Sequence, residues 1–191
     1  FTPTLTLELR DTPGGKAPRE VRITVEPGPI TQVSNVQIGF TGPIAEDPAS
    51  ESQRDAIRTG WALRAGQPFN QQAWDNAKAA ALRNLTARRY PTGSILTSRA
   101  EIDADRSEAK LSATYASGPA FRFGPLVVNG NQRYPADNVR RLARVPTGAD
   151  YDQQQLLDAQ QRLASSGYFD SVFLTIDTQS DPRAAPVIAQ L

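Results

Sequence analysis

The sequence predicts an α+β fold built from tandem units, each with the element order β-α-α-β-β. Two observations carry this prediction. Turn, strand and helix-start motifs occur twice along the chain, and the apolar residues change from an alternation typical of strands to a helical spacing and back again. An internal repeat of this kind decides the whole architecture. We therefore expect each unit to form a three-stranded mixed sheet with two helices packed on one face.

The first strand of each copy follows a Gly-Pro turn, which begins at Gly28 and again at Gly118. An alternation of apolar residues after such a turn predicts a half-buried strand. When Gly28 is aligned with Gly118, the alternating apolar residues of the two copies coincide. They are Val33, Val36 and Ile38 in the first copy and Phe123, Leu126 and Val128 in the second.

A weaker helical pattern follows each of these strands. In the second copy it starts near Pro135, a residue that is well suited to the first turn of a helix. In the first copy it covers about 51–63, after a Pro- and Ser-rich segment, 42–52, that we expect to be a polar loop.

The second helix of each copy begins with the same chemistry. Asn70 and Asp152 are the expected N-caps, whose side-chain oxygens accept from backbone N–H groups of the first turn. Phe69 and Tyr151 precede these caps and are expected to act as hydrophobic staples, which fix the angle at which the chain enters the helix. The residues that we expect these two helices to bury are Trp74, Ala77, Ala81, Leu85, Leu156, Ala159 and Leu163.

Each second helix is expected to end shortly before a tyrosine that precedes two strands. Gly167 precedes the tyrosine in the second copy and is expected to supply a left-handed cap conformation. Arg89 holds that place in the first copy, so we expect a different cap there. The final strand of each copy should lie in the sheet centre. A hairpin pairs it with the strand just before it, and the helical crossover leaves a parallel pairing with the first strand on its other side. That arrangement leaves 95–102 and 172–177 as exposed edges.

Composition argues against an enzyme and against nucleic-acid binding. The 191-residue chain contains no Cys and no His, which removes thiol nucleophiles, the usual general base and the commonest metal ligands. Its net charge of +1 offers no field for nucleic acid. The carboxylates in one hairpin, Glu101, Asp103, Asp105 and Glu108, are interpreted as a solvated turn in preference to a Ca²⁺ site. No catalytic residue, cofactor or metal is expected. The absence of Met indicates a piece of a longer protein.

The repeat and its motifs resemble POTRA (polypeptide-transport-associated) domains of the BamA/TamA superfamily, and within it the TamA-like members. The stretches that carry the resemblance are "SGPAFRFGPLVVNGN", the Gly-Tyr-Phe turn, and "FTPTLTLELRDTPGG" with "VRITVEPGP". The resemblance implies three parts of the chain. Residues 1–26 would be the C-terminal hairpin of a truncated preceding POTRA domain, 27–117 a second domain, and 118–191 a third that precedes an absent outer-membrane β-barrel.

The resemblance also implies a function, which is that of the periplasmic POTRA region of an outer-membrane protein assembly or autotransporter translocation factor. The implied partners are unfolded outer-membrane protein clients, a TamB-like inner-membrane-anchored partner, and the chain's own C-terminal barrel. Clients would add a strand to a sheet edge by β-augmentation. The client-binding residues expected on the two edges are Ile95, Leu96, Thr97, Ser98, Val172, Phe173, Leu174, Thr175 and Ile176.

Two alternatives to this function stay open. The chain is a structural spacer arm between the barrel and an inner-membrane partner, or it is the POTRA region of a two-partner secretion transporter. An enzyme remains a distant third.

Overall fold

The structure, a computed structural model, describes residues 3–11, 19–130 and 134–191. The strands in this part of the chain are β1 Thr4–Asp11, β2 Arg19–Glu26, β3 Gln32–Thr41, β4 Ser94–Asp103, β5 Glu108–Ala116, β6 Phe123–Asn129, β7 Phe173–Ile176 and β8 Ala185–Gln190. The helices are α1 Pro43–Glu46, α2 Glu51–Thr59, α3 Gln71–Thr86, α4 Ala136–Ala143 and α5 Gln153–Ala164.

The strands form three sheets, two of which share one topology. The strand order is β3-β5-β4 in the first copy of the repeat and β6-β8-β7 in the second. In both sheets the last strand is central, parallel to the first strand and antiparallel to the one before it. This confirms the expected α+β class and the placement of the final strand. The strands β1 and β2 form a separate antiparallel hairpin.

Each three-stranded sheet and its helices enclose a core of their own. The first core includes Trp61 and Trp74, whose rings meet edge to face with centroids 5.7 Å apart. The second core includes Phe123 and Tyr151, with ring centroids 5.6 Å apart. The residues that the sequence assigned to the buried face of α3 and α5 are all buried. We call these two units repeat 1 and repeat 2.

The segment 42–52 is not the polar loop that the sequence suggested. It contains α1 and a 3₁₀ turn over Pro48–Ser50. Ile44, in α1, is fully buried in the first core, and its N–H donates to the Ser117 hydroxyl at 3.4 Å. Proline begins both short turns and supplies the backbone angle of a first helical turn, so a composition typical of loops still folds here.

Helix starts follow their predicted chemistry. The Asn70 side chain accepts from Ala73 N–H at 2.7 Å, and the Asp152 carboxylate accepts from the N–H groups of Gln154 and Gln155. Both N-caps are thereby confirmed.

Helix α4 begins after Pro135, as expected. Helix α2 is shorter than the predicted 51–63 and ends at Thr59. Trp61 and Leu63 are nevertheless buried beyond its end.

The two repeats hold the start of their first strand by the same hydrogen bonds. In repeat 1 the Gly66 N–H donates to Val33 O at 2.7 Å, and Val33 N–H donates to Gln67 O at 2.9 Å. In repeat 2, Gly148 and Phe123 form the equivalent bond at 2.7 Å, and Phe123 N–H donates to Ala149 O at 2.9 Å. Both glycines have a φ close to 85°, which explains why glycine occurs at this place in each copy.

Arg89 adopts the conformation that the sequence assigned only to its counterpart Gly167. Its φ is 58°, in the left-handed region, and that of Gly167 is 73°. The expectation of a different cap in repeat 1 was therefore wrong. A non-glycine residue pays roughly 1–2 kcal/mol for this conformation, so other contacts must hold Arg89 in place.

Candidate functional site

The open edges of the two sheets are the candidate site, and hydrogen-bond register decides what each edge offers. Along a strand, backbone N–H and C=O groups point alternately to the two sides. Ser117 N–H donates to Thr41 O, and Gln32 N–H donates to Ser107 O. The backbone groups of the odd-numbered residues of β5 therefore point to β3, and those of the even-numbered residues point to β4.

This register divides the expected site residues of β4. Thr97 pairs with Thr114, so its backbone groups point to β5, whereas Ser98 pairs with Ala113 and directs its groups to solvent. Ile95 is half-buried against the first core. Leu96 lies at a bulge and leaves 58% of its surface exposed. Of these four residues, Ser98 is the one that combines an exposed side chain with an outward N–H inside the regular ladder.

The expected site in repeat 2 is shorter than predicted, because β7 starts only at Phe173. Asp177 N–H donates to Pro186 O, which places the backbone groups of Phe173 and Thr175 toward β8. The backbone N–H and C=O groups of Leu174 and Ile176 then point away from β8, toward the open edge. Val172 precedes the strand and packs on the second core.

The outward N–H of Leu174 already has an acceptor. The side-chain oxygen of Gln160, on α5, accepts from it at 3.0 Å. Sequence reasoning missed Gln160, because nothing in the local pattern shows which strand a helical glutamine will reach. This hydrogen bond covers the middle of the β7 edge.

Charged residues accompany both predicted edges. On β4, Arg99 and Glu101 form an exposed ion pair at 3.0 Å. After β7, Asp177 accepts from the Ser180 hydroxyl and from Gln179 N–H. These hydrogen bonds, the Ser180 bond first, lower the pKa of the Asp177 carboxyl below its usual value. The carboxylate therefore stays charged beside the strand, a device that often limits edge pairing.

A second feature links the repeats to each other. Arg89 N–H donates to Tyr151 O at 2.7 Å, and Phe121 N–H donates to Arg89 O at 2.7 Å. Gln153 N–H donates to Ala87 O at 2.9 Å. The turn after α3 thus adds main-chain hydrogen bonds to the start of repeat 2. We call this contact the junction.

Side chains reinforce the junction. The Nε of Arg89 lies 3.2 Å from the Asp150 carboxylate, and Arg88 approaches Asp152 at 3.5 Å. The buried Nε–H of Arg89 is not aligned for a hydrogen bond, so we treat its contact with Asp150 as an ion pair. Sequence reasoning placed Arg89 after a helix end and did not identify its partners.

The described residues contain no group of three or more carboxylates of a kind that holds a metal ion. In the same ranges, every helix is too short or too polar to cross a membrane.

Comparison with known proteins agrees with the fold. Residues 121–187 match the model of the POTRA family, described as surface antigen variable number repeat. POTRA domains 3–5 of BamA from Haemophilus influenzae superpose with a TM-score of 0.62 at 17% identity, covering 100% of this chain and 72% of that one.

Two further solved structures share the fold. BamA from Haemophilus ducreyi lacking POTRA domains 1–3 gives a TM-score of 0.64 at 14% identity, over 83% of this chain and 29% of that one. POTRA domains 1–2 of the periplasmic domain of Omp85 from Anabaena give 0.52 at 13% identity, over 84% and 95%. The segment 121–187 therefore matches the POTRA family model, and the chain as a whole has the fold seen in tandem POTRA domains.

Proposed function

We propose that the chain is the periplasmic POTRA region of a TamA-like outer-membrane protein assembly or autotransporter translocation factor. It is a non-catalytic scaffold that captures extended client polypeptides by β-augmentation. The observation that carries this proposal is the shared topology of the two sheets. Each leaves its second strand, β4 or β7, at an edge with backbone groups directed outward. Main-chain pairing supplies affinity with little regard to sequence, which suits a scaffold with many clients.

The two edges are not equivalent in this proposal. β4 is ten residues long and β7 is four, and Gln160 occupies an N–H of β7. We therefore assign the stronger capture to β4, around Ser98. From the sequence, the more apolar character of 172–177 favours β7 as the capturing edge, and this ranking reverses that expectation.

Single prolines test the proposal. Ser98→Pro removes one outward N–H from β4, and Ser98→Ala is the matched control that keeps it. We expect the proline variant to bind a synthetic outer-membrane strand peptide at least tenfold more weakly by fluorescence anisotropy, and the alanine variant to bind unchanged. Circular dichroism establishes that both are folded. Equal binding by folded S98P and S98A contradicts capture on β4.

Gln160 provides an independent test on β7. Gln160→Ala frees the Leu174 N–H, so this variant should capture the same peptide more tightly than the wild type. Ile176→Pro in the same background should abolish the gain, because Ile176 is the other outward-facing residue of β7. A Q160A variant with no gain in binding contradicts a role for this edge.

The junction favours a second candidate function, that of a spacer arm. Main-chain hydrogen bonds between Arg89 and repeat 2, together with the ion pair between Arg89 and Asp150, limit rotation between the repeats. An arm that transmits position between a barrel and a TamB-like inner-membrane partner needs this stiffness. Distances between spin labels on the two repeats test this function. We expect a narrow distance distribution in the wild type and a broader one in D150N. An equally narrow distribution in D150N contradicts a role for the Arg89–Asp150 pair in stiffness.

The division of the chain forms part of the proposal. We assign 27–117 and 118–191 to two POTRA domains, which accords with their separate cores. We assign 1–26 to the last hairpin of a preceding one. One face of the hairpin is a continuous row of exposed apolar side chains, which are Leu5, Leu7, Leu9, Val21, Ile23 and Val25. Such a face matches the sheet surface that helices cover in the two complete repeats.

A further inference from the structure

The least guarded edge in the described residues is β3, the first strand of repeat 1. Natural edges are commonly protected by charged residues, proline or short length. β3 has ten residues, among them no charged residue and no proline. By contrast, β4 carries Arg99, Glu101 and Asp103, and the equivalent strand of repeat 2, β6, is shorter and contains Pro125.

Only the beginning of this edge is already occupied. The outward groups of Val33 bond to Gly66 and Gln67. A bulge follows between Val33 and Asn35. The carbonyl of Thr41 points to β5, and backbone groups alternate in direction along a strand. Beyond the bulge, the backbone groups that point away from β5 are therefore those of Val36, Ile38 and Phe40.

A groove runs beside this open stretch, on the face of the sheet that carries the helices. Val36, Ile38 and Trp61 contribute its apolar lining, and Arg58 and Arg64 contribute its charged lining. Its volume is about 570 Å³, enough for several side chains. The same strand residues thus present free backbone groups and line the groove.

Both arginines are held in place. Arg64 donates to the carbonyls of Thr59 and Trp61 at 3.0 and 3.4 Å, and no carboxylate within the described ranges pairs with it. Arg58 lies 5.3 Å from the centre of the Phe40 ring. Its carboxylate partner, Asp55, is 3.6 Å away and both side chains are well exposed, so this pair contributes little. The groove therefore carries two positive charges, of which that of Arg64 has no carboxylate partner in the described ranges and that of Arg58 is partly offset by Asp55.

We propose that β3 and this groove bind an extended peptide strand that carries apolar and acidic side chains at alternate positions on one face. In an antiparallel pair, residues directly opposite each other place their side chains on the same face. Partner residues opposite Val36 and Ile38 therefore direct their side chains over the groove. One of them meets the apolar lining of the groove, and an acidic one two residues away meets an arginine.

Charge selectivity separates this site from the edges assigned above. The site goes beyond the proposed function, because capture on β4 or β7 relies on the main chain and requires no acidic residue. A peptide with the same apolar residues but lysine in place of glutamate should still pair with β4 and should be repelled from β3. The ligand chemistry is therefore specific to this edge.

The experiment uses fluorescence anisotropy to measure binding of the strand peptide Val-Thr-Glu-Thr-Val-Thr-Glu-Thr, which carries valine and glutamate in turn on one face and threonine on the other. Its analogue with lysine in place of glutamate is measured in the same way. Ile38→Pro removes an outward N–H, and Ile38→Ala is the control for lost packing. We expect I38P to weaken binding of the glutamate peptide at least tenfold relative to I38A. Arg58→Glu combined with Arg64→Glu should reverse the preference in favour of the lysine peptide, and it tests the site without altering the ladder if I38P does not fold.

The outcomes distinguish this site from the proposed function. Loss of glutamate-peptide binding in S98P, with I38P equal to I38A, assigns the peptide to β4 and overturns the β3 site alone. Equal affinity for the glutamate and lysine peptides, or an unchanged preference in the double arginine variant, also overturns it. The β3 site is supported if I38P loses binding of the glutamate peptide and the double arginine variant prefers the lysine peptide. This result does not depend on whether β4 binds outer-membrane strands.

Discussion

The guanidinium of Arg89 in repeat 1 lies 3.2 Å from the carboxylate of Asp150 in repeat 2. The same guanidinium reaches back into its own repeat, where Nη1 is 2.8 Å from Asp47 and 3.0 Å from the Ser50 hydroxyl. Only 19% of the Arg89 side chain is exposed. One side chain therefore binds both repeats at once, which makes their coupling measurable.

A double-mutant cycle on Arg89→Ala and Asp150→Asn should reveal this coupling. We expect an interaction free energy of roughly 0.5–1 kcal/mol, because the pair is partly buried and Asp150 is partly screened by water. Urea denaturation of the four proteins provides the values. Asp150 also contacts Arg122 at 3.2 Å, so R122A is the control: it removes a partner within repeat 2 and leaves the contact with Arg89. Additive effects of R89A and D150N would rule out a contribution from the pair.

Loss of the staple residues should affect mainly the repeat that contains each of them. Tyr151 is buried beside Phe123, so Tyr151→Ala should destabilise repeat 2 by about 2–4 kcal/mol. Phe69 is only half-buried, and Phe69→Ala should cost repeat 1 less. Hydrogen exchange, resolved by repeat, separates the two effects. Equal loss of protection in both repeats from either substitution would contradict two independent cores.

Features set by neighbouring residues were accessible from the sequence. The caps at Asn70 and Asp152 depend on atoms two or three residues away, and the repeat spacing located both of them. The burial of α3 and α5 followed from helical periodicity in the same way. Sheet topology followed from the hairpin connection and the helical crossover.

Features set by distant residues were not accessible. Arg89 takes a left-handed conformation among bonds to Tyr151 and Phe121, more than 30 positions away. Gln160 reaches the β7 edge from α5. The openness of β3 was also overlooked, because a central last strand leaves the first strand at an edge as well as the second. The two edge strands of repeat 1 then differ in charge, because β4 carries charged residues and β3 carries none.

Acid should weaken the link between Asp47 and Arg89. The backbone N–H of Ala49 has the largest effect on the Asp47 carboxyl and lowers its pKa. Burial opposes this in part, and the neighbouring Arg89 and Arg54 add to the lowering, so that the pKa lies below its usual value. A folded-state pKa below the unfolded value means that the stabilisation is present above the unfolded pKa. It is lost as the pH falls through the folded pKa. The affected window therefore lies below about pH 4.

Asp47→Asn tests this linkage. The variant should be less stable than the wild type at pH 7, and the difference should shrink as the pH is lowered below 4. Urea denaturation at pH 7, 4 and 3 measures it. Asp55→Asn serves as the control, because Asp55 makes only an exposed contact with Arg58 at 3.6 Å. A stability difference for D47N that stays constant down to pH 3 is inconsistent with the proposed linkage.

The left-handed backbone of Arg89 predicts an order of stability between two variants that lose the same side chain. Arg89→Gly and Arg89→Ala both remove the ion pairs with Asp47 and Asp150 and keep the main-chain bonds to repeat 2. Alanine at φ 58° retains the steric conflict between its Cβ and the backbone, whereas glycine has none. Glycine loses more conformational freedom on folding, which offsets part of this advantage. We therefore expect R89G to be more stable than R89A by about 1 kcal/mol in urea denaturation.

The same pair of substitutions at Arg88, which is outside the left-handed region, should show no advantage for glycine. If R89A equals or exceeds R89G in stability, residue 89 does not keep the left-handed conformation once its ion pairs are gone, and those pairs then hold the turn.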